Sequence, residues 1–267
     1  MTITDQNYYT VEASNAYMSV SQLRRWRECE AATLAMLQGK HAFPRTKEMN
    51  IGNYVDCALT EPDRLEAWKL EHPEMIAKSG ENKGGLLKTY IIADKCVARV
   101  QREELAMNLL THSNQEILTG VIGGVMWKGK LDAVRHDIRK FGDLKTAKDF
   151  AEEWDSDSRK YRPWWWKYLL QLAIYRELLY QKTGEWYDPC ILGVAKHDKP
   201  AMCWPYFDAS WTPRFTALTE FAGEAAQVYT AIKNGEAEAR FCKDSKCGWC
   251  ADHRPFEPEI VSYEEAS

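Results

Sequence analysis

Hydrophobic positions along the chain change their period twice, and those changes mark its organisation. From Ser19 to about Leu37, with Ser19 or Ser21 as N-cap, Leu23, Trp26, Ala31, Leu34 and Leu37 recur at helical spacing. A second helix is expected from near Lys47 through Ile51, Tyr54, Val55 and Leu59. It stops at Glu61-Pro62, because proline disfavours helix in the residue before it. After the polar turns at Ser79-Gly80 and Gly84-Gly85, an amphipathic pattern runs from about Leu86 to Leu110. The period then shortens: Glu116 to Ile122 and Val125 to Val134 read as strands joined by a hairpin turn at Gly123-Gly124, with a third strand from Ile138 to Lys145. Helix returns from about Pro163 to Gln181, ending before Gly184. Strands follow at Pro189 to Ala195 and Ala201 to Phe207, then a last helix from Thr212 to Lys233. This order predicts an α/β core with a mixed central sheet flanked by helices.

A chain of 267 residues, 45% hydrophobic, can bury its core as one large domain. No run approaches about 18 consecutive apolar residues, and the first residues lack the basic start and apolar core of a signal peptide. A cytoplasmic protein with no membrane contact is therefore expected. The net charge of -4 argues against an overall basic nucleic-acid binder, so any DNA contact must come from a local patch. The strongest such patch is Ser158 to Lys167, where Arg159, Lys160, Arg162 and Lys167 interleave with Tyr161, Trp164, Trp165 and Trp166. Either it grips phosphates and stacks a frayed base on Trp164 or Trp165, or its tryptophans pin the next helix into the core.

Charged residues give the candidate chemistry. Asp132 falls near the end of one strand, while Asp143 and Lys145 are two apart on the next and share a face. Carboxylate oxygens are the ligands Mg²⁺ prefers, the carbonyl of Leu144 can add another, and a lysine beside them can neutralise a reacting phosphate. Asp-x-Lys alone is common, and its plainer reading is an ion pair on a solvated strand edge. Gln171 and Tyr175, four apart on the following helix, share a face that can lie over the same place.

The series Ile51-Gly52-Asn53-Tyr54-Val55-Asp56, Gly129-Lys130-Leu131-Asp132, Asp143-Leu144-Lys145 and Gln171-Leu172-Ala173-Ile174-Tyr175 resembles the exodeoxyribonuclease VIII branch of the PD-(D/E)XK superfamily. These are relatives of RecB-type nuclease domains and of the phage lambda exonuclease, and the likeness runs from about Tyr17 to Cys250. It implies a restriction-endonuclease-like core at 113–235, a mainly helical part at 1–112 and a Cys-rich segment at 236–267. It further implies that Asp132 and Asp143 bind Mg²⁺ or Mn²⁺, that Lys145 assists attack on the phosphodiester, and that Gln171 and Tyr175 position the scissile strand. Many relatives carry Gly-x-x-x-His in the early helix; here Gly52 is followed by Asp56, an oxygen ligand in the histidine's place. The implied activity is exonucleolytic, on double-stranded DNA with free ends, in phage-type recombination with a single-strand annealing protein. Related exonucleases assemble as homo-oligomeric rings. The alternatives are an endonuclease or repair nuclease with the same site, and a non-catalytic DNA-binding module.

Of eight cysteines, Cys57, Cys96, Cys190 and Cys203 stand singly in apolar surroundings and read as small buried hydrophobes. Cys242, Cys247 and Cys250 crowd one segment, one thiolate short of a tetrahedral set. The resemblance extends to AddB and the CRISPR adaptation nucleases, and implies that Cys29 completes a [4Fe-4S] site. The rival is His253 completing a local Zn²⁺ knuckle; a third reading is no metal.

Overall fold

The computed structural model describes residues 1–80, 82–111, 114–243 and 246–255. Seven helices come first: α1 (Val11–Ala16), α2 (Val20–Glu28), α3 (Glu30–Leu37), α4 (Lys47–Thr60), α5 (Leu65–Glu71), α6 (Lys88–Gln101) and α7 (Glu104–Thr111). They precede β1 (Asn114–Ile122), β2 (Val125–Arg135) and β3 (Lys140–Ala147), then a two-stranded ribbon, β4 (Glu153–Asp155) and β5 (Lys160–Arg162). The chain closes with α8 (Leu169–Thr183), β6 (Asp188–Ala195), β7 (Met202–Cys203), α9 (Thr212–Lys233) and α10 (Gly248–His253).

The expected mixed sheet is present, in the order β1-β2-β3-β6-β7. All neighbours are antiparallel except β3 and β6, which run parallel because α8 forms the crossover between them. Side-chain alternation feeds two layers. Leu118, Trp127, Leu131 and Phe141 pack under α8 and α9 with Leu172, Leu178 and Phe215. Ala133, Leu144, Leu192 and Val194 face α4, α6 and α7 through Val55, Ala93 and Leu109. Each large side chain so buried contributes about 1.5–3 kcal/mol. At the β1–β2 turn Gly123 and Gly124 have φ of 58° and 73°, which L side chains avoid. A Cβ on Gly123 would also lie 2.5 Å from Gly223 of α9, so the turn is docked as well as left-handed.

Several boundaries differ from the sequence expectation for identifiable reasons. The first long helix is two, because Cys29 is extended (φ -161°, ψ 112°) and its sulfur caps α3 by accepting from the Ala32 amide. Ser19 is the N-cap of α2. The 86–110 pattern breaks after Arg102 into α6 and α7. Arg139, at φ 49°, belongs to the turn before β3, which starts at Lys140 rather than Ile138. α8 begins at Leu169, after a 3-10 turn, and ends on left-handed Gly184. The last strand shrinks to two residues because Pro205 lacks the N–H a ladder needs. The helices at 11–16 and 65–71 and the β4–β5 ribbon were not expected. No described helix is long and apolar enough to cross a membrane. The end of the Cys-rich segment, 256–267, lies outside the described residues.

Candidate functional site

β2 and β3 pair over only three rungs, Arg135 with Lys140, Val134 with Phe141 and Ala133 with Gly142. The next rung would set Asp132 opposite Asp143, and there the ladder stops. Along β1 the register moves from Glu116 to Asn114 while β2 moves from Leu131 to Val134, so β2 carries an extra residue at Asp132-Ala133. This bulge turns the Asp132 side chain into the opening. Its Oδ2 accepts from the Leu144 N–H at 2.8 Å, replacing the missing backbone bond. In a strand, N–H and C=O of one residue leave on the same edge, so the Leu144 carbonyl also faces the gap.

Asp143 is 3% exposed. Its Oδ1 accepts from Gln171 Nε2 at 2.7 Å, and Lys145 Nζ lies 2.5 Å from its Oδ2. The Lys145 ammonium also sits 5.3 Å from the centre of the Tyr168 ring. Gln171 therefore holds a carboxylate rather than standing free in the opening. Tyr175, one turn on, lies against Gly129, where a Cβ would come within 2.6 Å of its ring. Only glycine at that point of β2 admits the ring.

The charges are strongly coupled. Burial raises the Asp56 carboxyl to about 6; Lys145 pulls it back, and Glu61 and Asp143 push it further up. Asp132 is raised well above the usual carboxylate range by burial, then by Asp56 and Asp143. Burial disfavours the charge on Lys145, but Asp143 and Asp132 outweigh it and hold the ammonium protonated. Burial, with Tyr8, Asp143 and Asp132, keeps the Tyr175 hydroxyl protonated, so it can donate but not act as a base. Asp143 Oδ2 is held by the Lys145 ammonium, whereas Asp56 Oδ1 is buried without a partner. A buried anionic oxygen in that condition fits a cation.

All the sequence-derived residues, Asp56, Asp132, Asp143, Leu144, Lys145, Gln171 and Tyr175, thus reach one opening. The aspartates feel one another's charge without drawing their oxygens into a tight ligand set. Sequence reasoning missed what covers β2. Lys128 is buried and donates to the Tyr8 carbonyl at 2.6 Å, and Lys130 pairs with Asp5 at 2.9 Å. Burial lowers the Lys128 ammonium to about 8. The signal was available, since Lys128, Lys130 and Asp132 alternate along one strand. Base stacking by Trp164 or Trp165 is overturned: Trp164 is 3% exposed and packs on Gly193, and Trp165 packs on Phe207 and Trp211.

A second centre joins the chain's two ends. Cys29 Sγ lies 3.2 Å from Cys250 Sγ and 3.7 Å from Cys247 Sγ, and Cys242 Sγ is 3.6 Å from Cys247 Sγ. Among the described residues, this is the set of Cys, His, Asp or Glu drawn together as possible ligands, all four sulfurs within 4.8 Å. Backbone amides of Ala32, Cys242 and Cys250 point at Cys29, Cys250 and Cys247, orienting the sulfurs. Burial works against ionising Cys242, but hydrogen bonds from the Cys247 backbone and the neighbouring thiols bring it down to about 7. With Zn–S near 2.3 Å, a tetrahedral Zn²⁺ site has sulfur separations of about 3.8 Å. The four sulfurs, all within 4.8 Å of one another, are close enough to hold a metal ion. His253 lies outside this set of four, and its ring stacks on Trp249 at 3.7 Å.

A sheet that opens between an aspartate strand and an Asp-x-Lys strand, under a helix that grips the second aspartate, defines a nuclease of the PD-(D/E)XK superfamily. Residues 19–253 match the family described as "PDDEXK-like domain of unknown function (DUF3799)", and the chain belongs to that family. The fold is similar to the crystal structure of a "Putative exonuclease" from Eubacterium rectale. That protein is 27% identical, with a TM-score of 0.85 over 98% of this chain and 97% of the other. A second solved structure, SSO0001, is 13% identical and covers 88% of this chain and 95% of its own; its TM-score of 0.28 carries no structural argument. The search of curated proteins gives no match.

Proposed function

We propose that the chain is a metal-dependent deoxyribonuclease that hydrolyses phosphodiester bonds of linear duplex DNA from its ends. The observation that carries this reading is the unsatisfied buried oxygen Asp56 Oδ1 in the same opening as the Asp143–Lys145 ion pair. Asp56, Asp132, Asp143 and the Leu144 carbonyl form an all-oxygen donor set, which suits Mg²⁺ or Mn²⁺. When bound, such an ion supplies Lewis acidity toward a phosphate oxygen. Lys145 places a fixed positive charge where the phosphodiester gains negative charge. Gln171 fixes the rotation of the Asp143 carboxylate, and the protonated Tyr175 hydroxyl is a donor for a phosphate oxygen. At the cysteines we assign one structural Zn²⁺, clamping α3 to α10.

The exonucleolytic mode is supported by the description of the E. rectale protein. A phage-type recombination setting, an annealing-protein partner and a homo-oligomer rest on the sequence resemblance. The test is digestion of end-labelled linear duplex and closed circular DNA with Mg²⁺, Mn²⁺ or EDTA, comparing wild type with Lys145→Ala. Metal-dependent loss of linear DNA alone, absent in the variant, is the expected result. Cutting of the circle would make the protein an endonuclease, and no cleavage of either would leave a binding module.

A further inference from the structure

We infer that the β4–β5 ribbon is a base-stacking platform, on which Trp154 and Tyr161 hold nucleobases of an unpaired strand beside the candidate site; this rests on the nuclease reading above. The ribbon is spliced between the strand that carries Lys145 and the turn that carries Tyr168. Because the Lys145 ammonium sits on the Tyr168 ring, the two ends of this excursion close at the site itself.

Cross-strand pairing sets Glu153 against Arg162, Trp154 against Tyr161 and Asp155 against Lys160. With side chains alternating, Trp154 and Tyr161 share one face and the charged residues share the other. The charged face is turned to the body, where Arg162 stacks over Trp166 at 4.3 Å and Glu153 pairs with Lys167 at 2.8 Å. The aromatic face is turned away. Trp154 is 58% exposed and Tyr161 66%, and their rings meet edge-on at 5.4 Å.

This exposure does not come from a loose element. Two three-residue strands have no core of their own, yet polar ties hold this ribbon. Asp155 accepts from the Ser158 amide at 3.0 Å, Arg162 Nε donates to Ser158 Oγ at 3.2 Å, and Asp157 pairs with Arg27 at 2.6 Å. Those ties consume the acids Glu153, Asp155 and Asp157. The exposed bases Lys148, Arg159 and Lys160 form no ion pair among the described residues, and neither do the exposed acids Asp149 and Glu152, so the aromatic face rather than net charge marks the surface. A rigid ribbon with an exposed aromatic face beside the candidate site matches single-stranded nucleic acid, since every base offers a π-face.

The test is fluorescence anisotropy on the full chain, with Ca²⁺ replacing Mg²⁺ to suppress hydrolysis. The probes are a labelled duplex with a single-stranded tail and the same duplex closed at both ends by hairpin loops. Trp154→Ala with Tyr161→Ala is expected to bind the tailed duplex about tenfold or more weakly and the closed duplex as wild type does. Trp154→Phe with Tyr161→Phe restores most of the tail affinity, and both variants melt with wild type. Unchanged tail binding overturns the inference and makes a protein partner the better occupant. Equal loss on both probes overturns base stacking in favour of a grip on the duplex. Wild type that holds the tail through the ribbon but cuts no DNA with Mg²⁺ or Mn²⁺ defeats the nuclease reading and supports the ribbon's role; wild type that binds neither probe defeats both.

Discussion

Replacing Asp56 with Asn removes one of three carboxylates that crowd the opening between β2 and β3 while keeping its volume. Without a bound cation the ionised group is a burden, because its pKa rises from 3.8 to about 6 on folding. A folded pKa above the unfolded one means that the carboxyl favours the folded state fully below about pH 4, and that this advantage is lost as pH climbs through about 6. At about 1.4 kcal/mol per pH unit, the burden above pH 7 approaches 3 kcal/mol, with about 2 kcal/mol a working figure once neighbours relax. Asp56→Asn should therefore melt about 4–8 °C above wild type in metal-free buffer at pH 8, and with it near pH 4. Saturating Mg²⁺ or Mn²⁺ should reverse the order at pH 8, since a ligand that binds only the folded state stabilises in proportion to RT ln(1 + [L]/Kd). The assay is calorimetry at both pH values with and without metal. Asp56→Asn melting below wild type in metal-free buffer at pH 8, or gaining as much from metal as wild type does, would refute the reasoning.

Lys145→Ala should lose at least about a hundredfold in cleavage rate while keeping its circular dichroism spectrum and melting cooperatively; residual activity near wild type would remove Lys145 from the chemistry. Gly129→Ala drives a methyl into the Tyr175 ring and should cost about 1–3 kcal/mol in urea denaturation. An unchanged midpoint would show that the ring is not seated there. Cys29→Ser should abolish bound zinc, read by elemental analysis, and lower the melting temperature. A brown wild-type protein whose colour disappears in Cys29→Ser would replace Zn²⁺ by an iron–sulfur cluster.

Periodicity places Asp132, Asp143, Lys145, Gln171 and Tyr175 on their strands and helix without tertiary knowledge, and the family resemblance singled them out as candidates. Their relations were not legible. Gln171 serving Asp143 depends on how α8 packs over β3, and Asp132 serving the Leu144 amide on a bulge that exists only through the β1–β2 register. The tryptophans show the same limit: interleaving with basic residues does not reveal that Trp164 fills the space above Gly193 while Trp154 is left outside. The break at Cys29 was hidden because Leu23, Trp26, Leu34 and Leu37 keep helical phase across it. The extended residue is set by a partner 221 positions away.

That long reach constrains how the chain comes to be folded during synthesis. Glu30 is buried, and Arg240 is its ion-pair partner, while Cys29 meets its neighbouring sulfurs only at Cys242 to Cys250. At ribosomal rates of about 5–20 residues per second, the start of the chain waits roughly 10–45 s for these partners to be made. Through that interval α3 holds an unpaired acid and an unligated thiol, a surface on which chaperones and oxidants can act before the clasp closes. On the proposed Zn²⁺ assignment, zinc supply and translation speed would then bear on how much of the protein reaches its native form.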